Sequence, residues 1–426
     1  MKNVLLSVFV AFAAFSNAQK YVHQVLIVNE GYYDYENSKI VEPVTIGSYD
    51  PSTRTYEVVN TLSGMRFASD AIIADEAYFV AADQKIMKFD LNTHQLLAET
   101  TFSGVRNLAY VNGKIVASRG EYLTTYDSYL HVFNASDLSL ISAIDNVSGP
   151  KWATQNLLVV GDCVYVAVNN GYDWGNEKGI IGRLDMNSLS YGNEVDLGPN
   201  GKNPDNMVLL DGSLYTVNNK DWSGASISKI SLDGTINNTV SIATASTGCG
   251  TSAIRDNHIV YQISQETVLN EFEVTLMNNI GPIVGFDQNY YELAQNPVDG
   301  MFYASTTDYF SSGKINIYDG NNLVYNFNVG VSPGTIVFDI RTLLNLKEVD
   351  ENELSIFPNP VNEEFQIRVN KVALVRISDL AGKTCLTTSV QPGSQGINLE
   401  SFPQGSYTCT ISFEDGSQSI RKITKY

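Results

Sequence analysis

The chain has 426 residues, enough for two or three domains or for one repeat array with a small companion. Its net charge of −19 excludes a nucleic-acid partner and disfavours an anionic membrane surface, because no basic patch is available to displace phosphate counterions. Four cysteines are too few for a disulfide framework, and no CxxC or Cys/His cluster suggests zinc.

The first elements form an export signal over residues 1–18. Lys2 supplies its charge, LLSVFVAFAAF its short apolar segment, and Ser16-Asn17-Ala18 the small residues before Gln19. No cysteine follows the apolar segment, so no lipid anchor is expected there.

From 19 to 340 the pattern is strand after strand, with almost no helical periodicity. Apolar runs recur as VLIVNEG, AYFVAADQK, KIVASRGEY, VYVAVNNG, LYTVNNKD, IVYQISQE and FYASTTDY. Each is followed by a further strand and a short Asp/Asn turn, as in KIMKFDLNTHQL and IIGRLDMNSLSY. Strand units repeating about every 40–50 residues predict a β-propeller. Seven such units predict seven blades. The run PGTIVFDI at 333–340 has the character of a first strand with no second strand after it. It is expected to cross back and complete the opening blade, leaving no free edge. A stacked array of sandwiches is the alternative.

Residues 341–352 read as a linker. A small β-sandwich is expected over 353–426, from alternating strands and Asp-x-x-Gly and Pro-x-Gly turns. The fold class is therefore all-β, a seven-bladed propeller followed by a small Ig-like domain. Cys385 and Cys409 both fall in this last region and could pair.

Two stretches carry family resemblances. Phe357-Pro358-Asn359-Pro360, VRISDLAGK, Leu399-x-x-Phe402-Pro403-x-Gly405-x-Tyr407 and the basic ending Lys422-Ile423-Thr424-Lys425 resemble the sorting domain of the type IX secretion system of Bacteroidota. That resemblance implies passage across the outer membrane, a secreted or surface location, and the secretion machinery as a partner. The opening VLIVNEGYYDYENSKI and the repeat form resemble the YncE-like, YVTN-type propellers that stand beside TonB-dependent receptors. The best-understood members of that group bind cobalamin. The resemblance implies capture of a corrinoid and a TonB-dependent receptor as partner. Such binders are often lipid-anchored, and in that respect this chain departs from them.

All three tryptophans fall in loops that a propeller gathers on one face. Trp174 and Trp222 lie in VNNGYDWGNEKG and VNNKDWSG, both second-to-third-strand loops, and Trp152 lies on a connection between blades. Their companions include Asn29, Glu30, Tyr32, Tyr33, Arg119, Tyr126, Asn169, Tyr172, Asn218, Lys220 and Tyr309. Rigid aromatics among hydrogen-bonding groups suit a sizeable ligand with flat and polar parts, such as a corrinoid, a glycan or a protein loop. The structural alternative is that these aromatics pack over neighbouring blades and that Asn29 and Glu30 serve the opening turn. No motif for a cofactor, a phosphate or a nucleophilic serine occurs, and the four histidines are scattered, so a binding protein is expected rather than an enzyme. An adhesion module is the alternative, and a propeller lyase or hydrolase a more distant one. For a metal site built across blades, the loose carboxylate candidates are Glu30, Asp83, Glu121 and Asp308.

Overall fold

The computed structural model describes residues 18–248, 251–344, 354–379, 383–413 and 418–426. The export signal up to residue 17, Cys249 and residues 345–353, which include most of the linker, lie outside them. The described residues form strands and turns, with no helix long and apolar enough to cross a membrane. The chain divides into two compact units, one holding 22–340 and the other holding 341–426 together with the residues up to Tyr21.

Among its described residues the larger unit contains seven four-stranded sheets, and a short hairpin, Tyr32–Asp34 with Lys39–Glu42. One sheet illustrates the rest. Strands Ala68–Ala74, Ala77–Ala82, Lys85–Asp90 and Leu96–Thr101 follow in sequence order, pairing Ala71 with Val80, Val80 with Met87 and Met87 with Glu99. The second strand is buried throughout, whereas the fourth is largely exposed. Successive side chains of a strand point to opposite faces. Tyr78, Val80 and Ala82 pack with Leu26, Val28 and Ile46 of the preceding sheet. Ala77, Phe79 and Ala81 pack with Ile115, Ala117 and Phe133 of the following one. Burial on both faces makes the second strands read as unbroken apolar runs.

The same arrangement recurs around the unit, and the last sheet packs on the first. Tyr303, Ile315 and Ile317 share a cluster with Val25, Ile27 and Tyr49. The first sheet is assembled from both ends of the unit, with strand Pro333–Leu344 beside Ala18–Asn29, then Val44–Asp50 and Thr55–Leu62. The strand expected at 333–340 thus takes its place beside the opening one, and it runs on to Leu344.

The C-terminal unit has two sheets around one core. Leu354–Phe357, Glu364–Val369 and Gly393–Asn398 form one sheet. Thr384–Val390, Ala373–Ser378, Gly405–Phe413 and Gln418–Lys425 form the other, in that order. Phe365, Ile367, Val375, Ile377, Ile411 and Ile423 meet between them. The pairing open to Cys385 and Cys409 is not made. Both are free thiols, and strand Ala373–Ser378 lies between theirs, with Cys409 turned into the core and Cys385 exposed.

Candidate functional site

Four first strands carry, from their second residue, a polar residue, an Asp or Asn, and an apolar residue. They read SDA at 69–71, RNL at 106–108, QNL at 155–157 and DNM at 205–207. The strand register shifts at all four positions, a bulge that re-aims these side chains away from the sheet. Several then tie one sheet to the next. The Leu108 amide donates to Asp70 Oδ2 at 2.7 Å, and the Met207 amide donates to Asn156 Oδ1 at 3.2 Å. Asn206 Nδ2 donates to the Ser252 carbonyl at 2.9 Å.

The groups so placed line a cavity of about 320 Å³, to which all seven sheets contribute through the beginnings of their first strands or the loops leading into them. Glu30, Asp70, Asp205 and Glu292 bring four carboxyls, and Arg106 one guanidinium. Asn107, Asn156 and Asn206 supply amides. Burial pushes the Glu30 carboxyl up to about 7, against the pull of the Tyr291 hydroxyl, which donates to Oε1 at 2.7 Å, and of Arg106. Burial also raises Asp70 to about 7 and Asp205 to about 6. Glu292 lies well above the usual carboxylate range because burial and the charges of Asp70, Glu30 and Asp205 act in the same direction. Arg106 is held by its Nε donating to the Gly120 carbonyl at 2.6 Å, with its guanidinium 4.2 Å from the Tyr172 ring centroid and 5.3 Å from that of Phe67. Among the described residues no group of three or more His, Cys, Asp or Glu is placed to hold a metal ion.

Of the residues singled out in the sequence, Glu30 lines this cavity and Tyr172 flanks it through Arg106. Tyr309 flanks it through Tyr291, the two rings meeting edge-on at 5.4 Å. Trp174 is 73% exposed and stands against Tyr122 with ring centroids 5.9 Å apart, and Trp222 is 43% exposed in its own loop. Tyr32 meets Phe310 edge-on at 5.2 Å, and Tyr33 meets Tyr35 at 4.8 Å. Trp152 is partly buried against the core, with the Lys178 ammonium 5.2 Å from its ring. Lys220 holds a left-handed backbone in the turn before Trp222.

Other members of the set serve the scaffold. Asn29 and Asn218 have no exposed surface. Asn29 Nδ2 donates to Thr45 Oγ1 and the Tyr56 hydroxyl, both at 3.1 Å, and Asn218 Nδ2 donates to Ser226 and Ser228, both at 3.0 Å. Buried Asn169 accepts from the Gly171 amide at 3.1 Å and so shapes the loop that carries Trp174. Arg119 donates to the Ser128 carbonyl at 2.6 Å and lies over the Tyr126 ring at 3.9 Å, while the Tyr126 hydroxyl donates to Glu121. Asp83 forms an ion pair with Arg66 at 2.6 Å and does not line the cavity. The recurrent polar-Asx-apolar signal was visible in the sequence, but Asp70, Arg106, Asp205, Tyr291 and Glu292 were not expected.

Residues 355–425 match the secretion system C-terminal sorting domain. No curated protein matches the chain. Among solved structures, a protein of Bacteroides fragilis assigned as a 6-phosphogluconolactonase is similar at 12% identity and a TM-score of 0.52, over 75% of this chain and 98% of that one. The extracellular domain of a B. thetaiotaomicron protein assigned as a one component system matches at 12% identity and a TM-score of 0.49, over 97% of this chain. This chain spans 60% of that protein's length. These are likenesses of fold. The larger unit is a β-propeller, and the tail is a type IX sorting domain that directs export to the cell surface or the medium.

The sorting motif residues hold the tail together. Asn359 Nδ2 donates to the Lys422 carbonyl at 2.6 Å, and its Oδ1 accepts from the Thr424 amide at 3.0 Å, so the proline turn clasps the basic ending. The Tyr407 hydroxyl donates to the Pro403 carbonyl at 2.7 Å. Asn359→Ala is expected to remove both clasping bonds, cost this unit about 1–2 kcal/mol, and leave more of the chain in the periplasm. Fractionating cells for the parent and the variant checks this, and equal surface export of the two would refute it.

Proposed function

We propose that this exported chain is a seven-bladed propeller that binds a ligand on one face, followed in the sequence by an Ig-like sorting domain. The observation that carries the reading is the cavity to which all seven sheets contribute. The loops joining second to third strands emerge on that same face and carry the exposed Trp174, Trp222 and Tyr309. Stiff aromatics around a hydrogen-bonding centre are ligand-binding chemistry.

The ligand to test first is a corrinoid, delivered to a TonB-dependent receptor. A corrin is too wide for the cavity and would lie across the rim, with its amide-bearing edge over the Asn and carboxyl groups. Calorimetric titration of the purified chain with cyanocobalamin tests this, alongside the Trp174→Ala/Trp222→Ala variant. Binding by the parent, weakened by about 1–3 kcal/mol in the variant, supports corrinoid capture on this rim. Absence of binding at micromolar protein removes the corrinoid. The polar lining favours a glycan as the second reading, with the chain then acting in surface adhesion.

A further inference from the structure

The charges in the mouth do not balance. Three of its four carboxylates have donors within the protein. Glu30 takes the Tyr291 hydroxyl, Asp70 the Leu108 and Ala71 amides, and Asp205 the Asn219 side-chain amide at 3.3 Å. No hydrogen-bond donor among the described residues reaches the Glu292 carboxylate, and the charges acting on it are those of the other three. Among the described residues Arg106 is the single cation in the lining, and its Nε is committed to Gly120.

We propose that this mouth takes the protonated end of an organic amine or guanidine, such as a polyamine or a basic side chain, with Glu292 as its principal acceptor. Arg106 illustrates the chemistry the site already supports, a guanidinium stacked on Tyr172 and Phe67 within a carboxylate-lined cavity. A bare metal ion fits less well, because these carboxylates are not gathered into a metal-holding group. An ammonium or guanidinium offers several N–H donors in different directions and can use separated acceptors. A cavity of about 320 Å³ is at the small end for ligand pockets and suits one such group with part of its chain. The Tyr291–Tyr309 edge, continuous with Glu30 through the Tyr291 hydroxyl, offers an aromatic wall for the rest of the chain. The raised carboxyl pKa values add a direction, since acidification must discharge the site.

The inference rests on this face binding a ligand, but not on that ligand being a corrinoid. Its test is calorimetric titration of the purified chain with spermidine at near-physiological salt, with erythritol as an uncharged probe. Spermidine is expected to bind at about pH 8 and to weaken severalfold at about pH 5.5, with no erythritol binding. Glu292→Gln should weaken spermidine at least about tenfold. It is a suitable variant because its carboxylate holds no structural bond. Asp205→Asn should act in the same direction. Glu76→Gln, in the exposed turn at the other end of strand Ala68–Ala74, should leave the affinity unchanged. Equal binding by the parent and both mouth variants would assign spermidine to the general acidic surface and overturn the proposal. Absence of spermidine binding, or erythritol binding as tight, would overturn it too. Loss of cyanocobalamin binding in the tryptophan variant leaves this result untouched, so the two readings fail separately.

Discussion

The propeller should lose stability as pH rises from about 6 to 8, and Glu292→Gln should reduce the loss. Glu30 and Asp70 release their protons near pH 7 when folded, whereas unfolded carboxyls do so near 4. Between those values the folded chain binds more protons than the unfolded one, so stability falls with rising pH through that window. A group with a folded pKa near 7 loses about 1.4 kcal/mol between pH 6 and 8, so Glu30 and Asp70 together lose roughly 3 kcal/mol. His131, lowered to about 4 by burial and by Arg119, acts in the opposite sense below its ordinary pKa, and His94 is also lowered by burial. The two histidines partly offset the trend near pH 6. The difference between Glu292→Gln and the parent cancels their contribution. Thermal melts across the range should show the variant gaining on the parent as pH rises. A constant difference would mean that Glu292 titrates normally.

A second large effect is expected at Gly47. A Cβ there would lie 2.2 Å from the Tyr56 ring, which crosses over from the neighbouring strand. Gly182 and Tyr191 repeat the arrangement in another sheet, where the approach is 1.9 Å. Gly47→Ala must push the ring aside and pull its hydroxyl from Asn29 Nδ2. Overpacking of this kind costs about 1–3 kcal/mol. Adding Tyr56→Ala removes the obstruction, so the double variant should cost clearly less than the sum of the two single ones. Tyr56→Phe keeps the ring and should give no relief. Strict additivity in denaturant melts would show that the ring is not what requires glycine at 47.

Legibility followed burial. The second strands announce themselves because both their faces are covered, as in VYVAV at 164–168, and their spacing exposes the repeat. The loop tryptophans were legible for the opposite reason, since large apolar rings beside Asn and Gly stand out. The centre of the site was harder to see. Asp70, Arg106, Asp205 and Glu292 look like ordinary polar residues near turns, and only closure of the sheets onto one another makes these distant positions converge. Asn29 and Asn218 mislead in the other direction. Their amides resemble loop chemistry in the sequence, yet both are fully buried at strand ends and join neighbouring segments.

The first sheet joins the earliest and latest strands of the propeller, and this bears on how the chain closes. Until strand Pro333–Leu344 is present, Ala18–Asn29 has an unpaired backbone edge. A chain cut short before 333 would therefore carry an open seam able to recruit another chain's strand. Closing that seam spans about three hundred residues of intervening sequence, a contact so distant that it forms late. A cut beyond Leu344, by contrast, leaves the seam intact, so loss of the sorting tail would not unzip the ring.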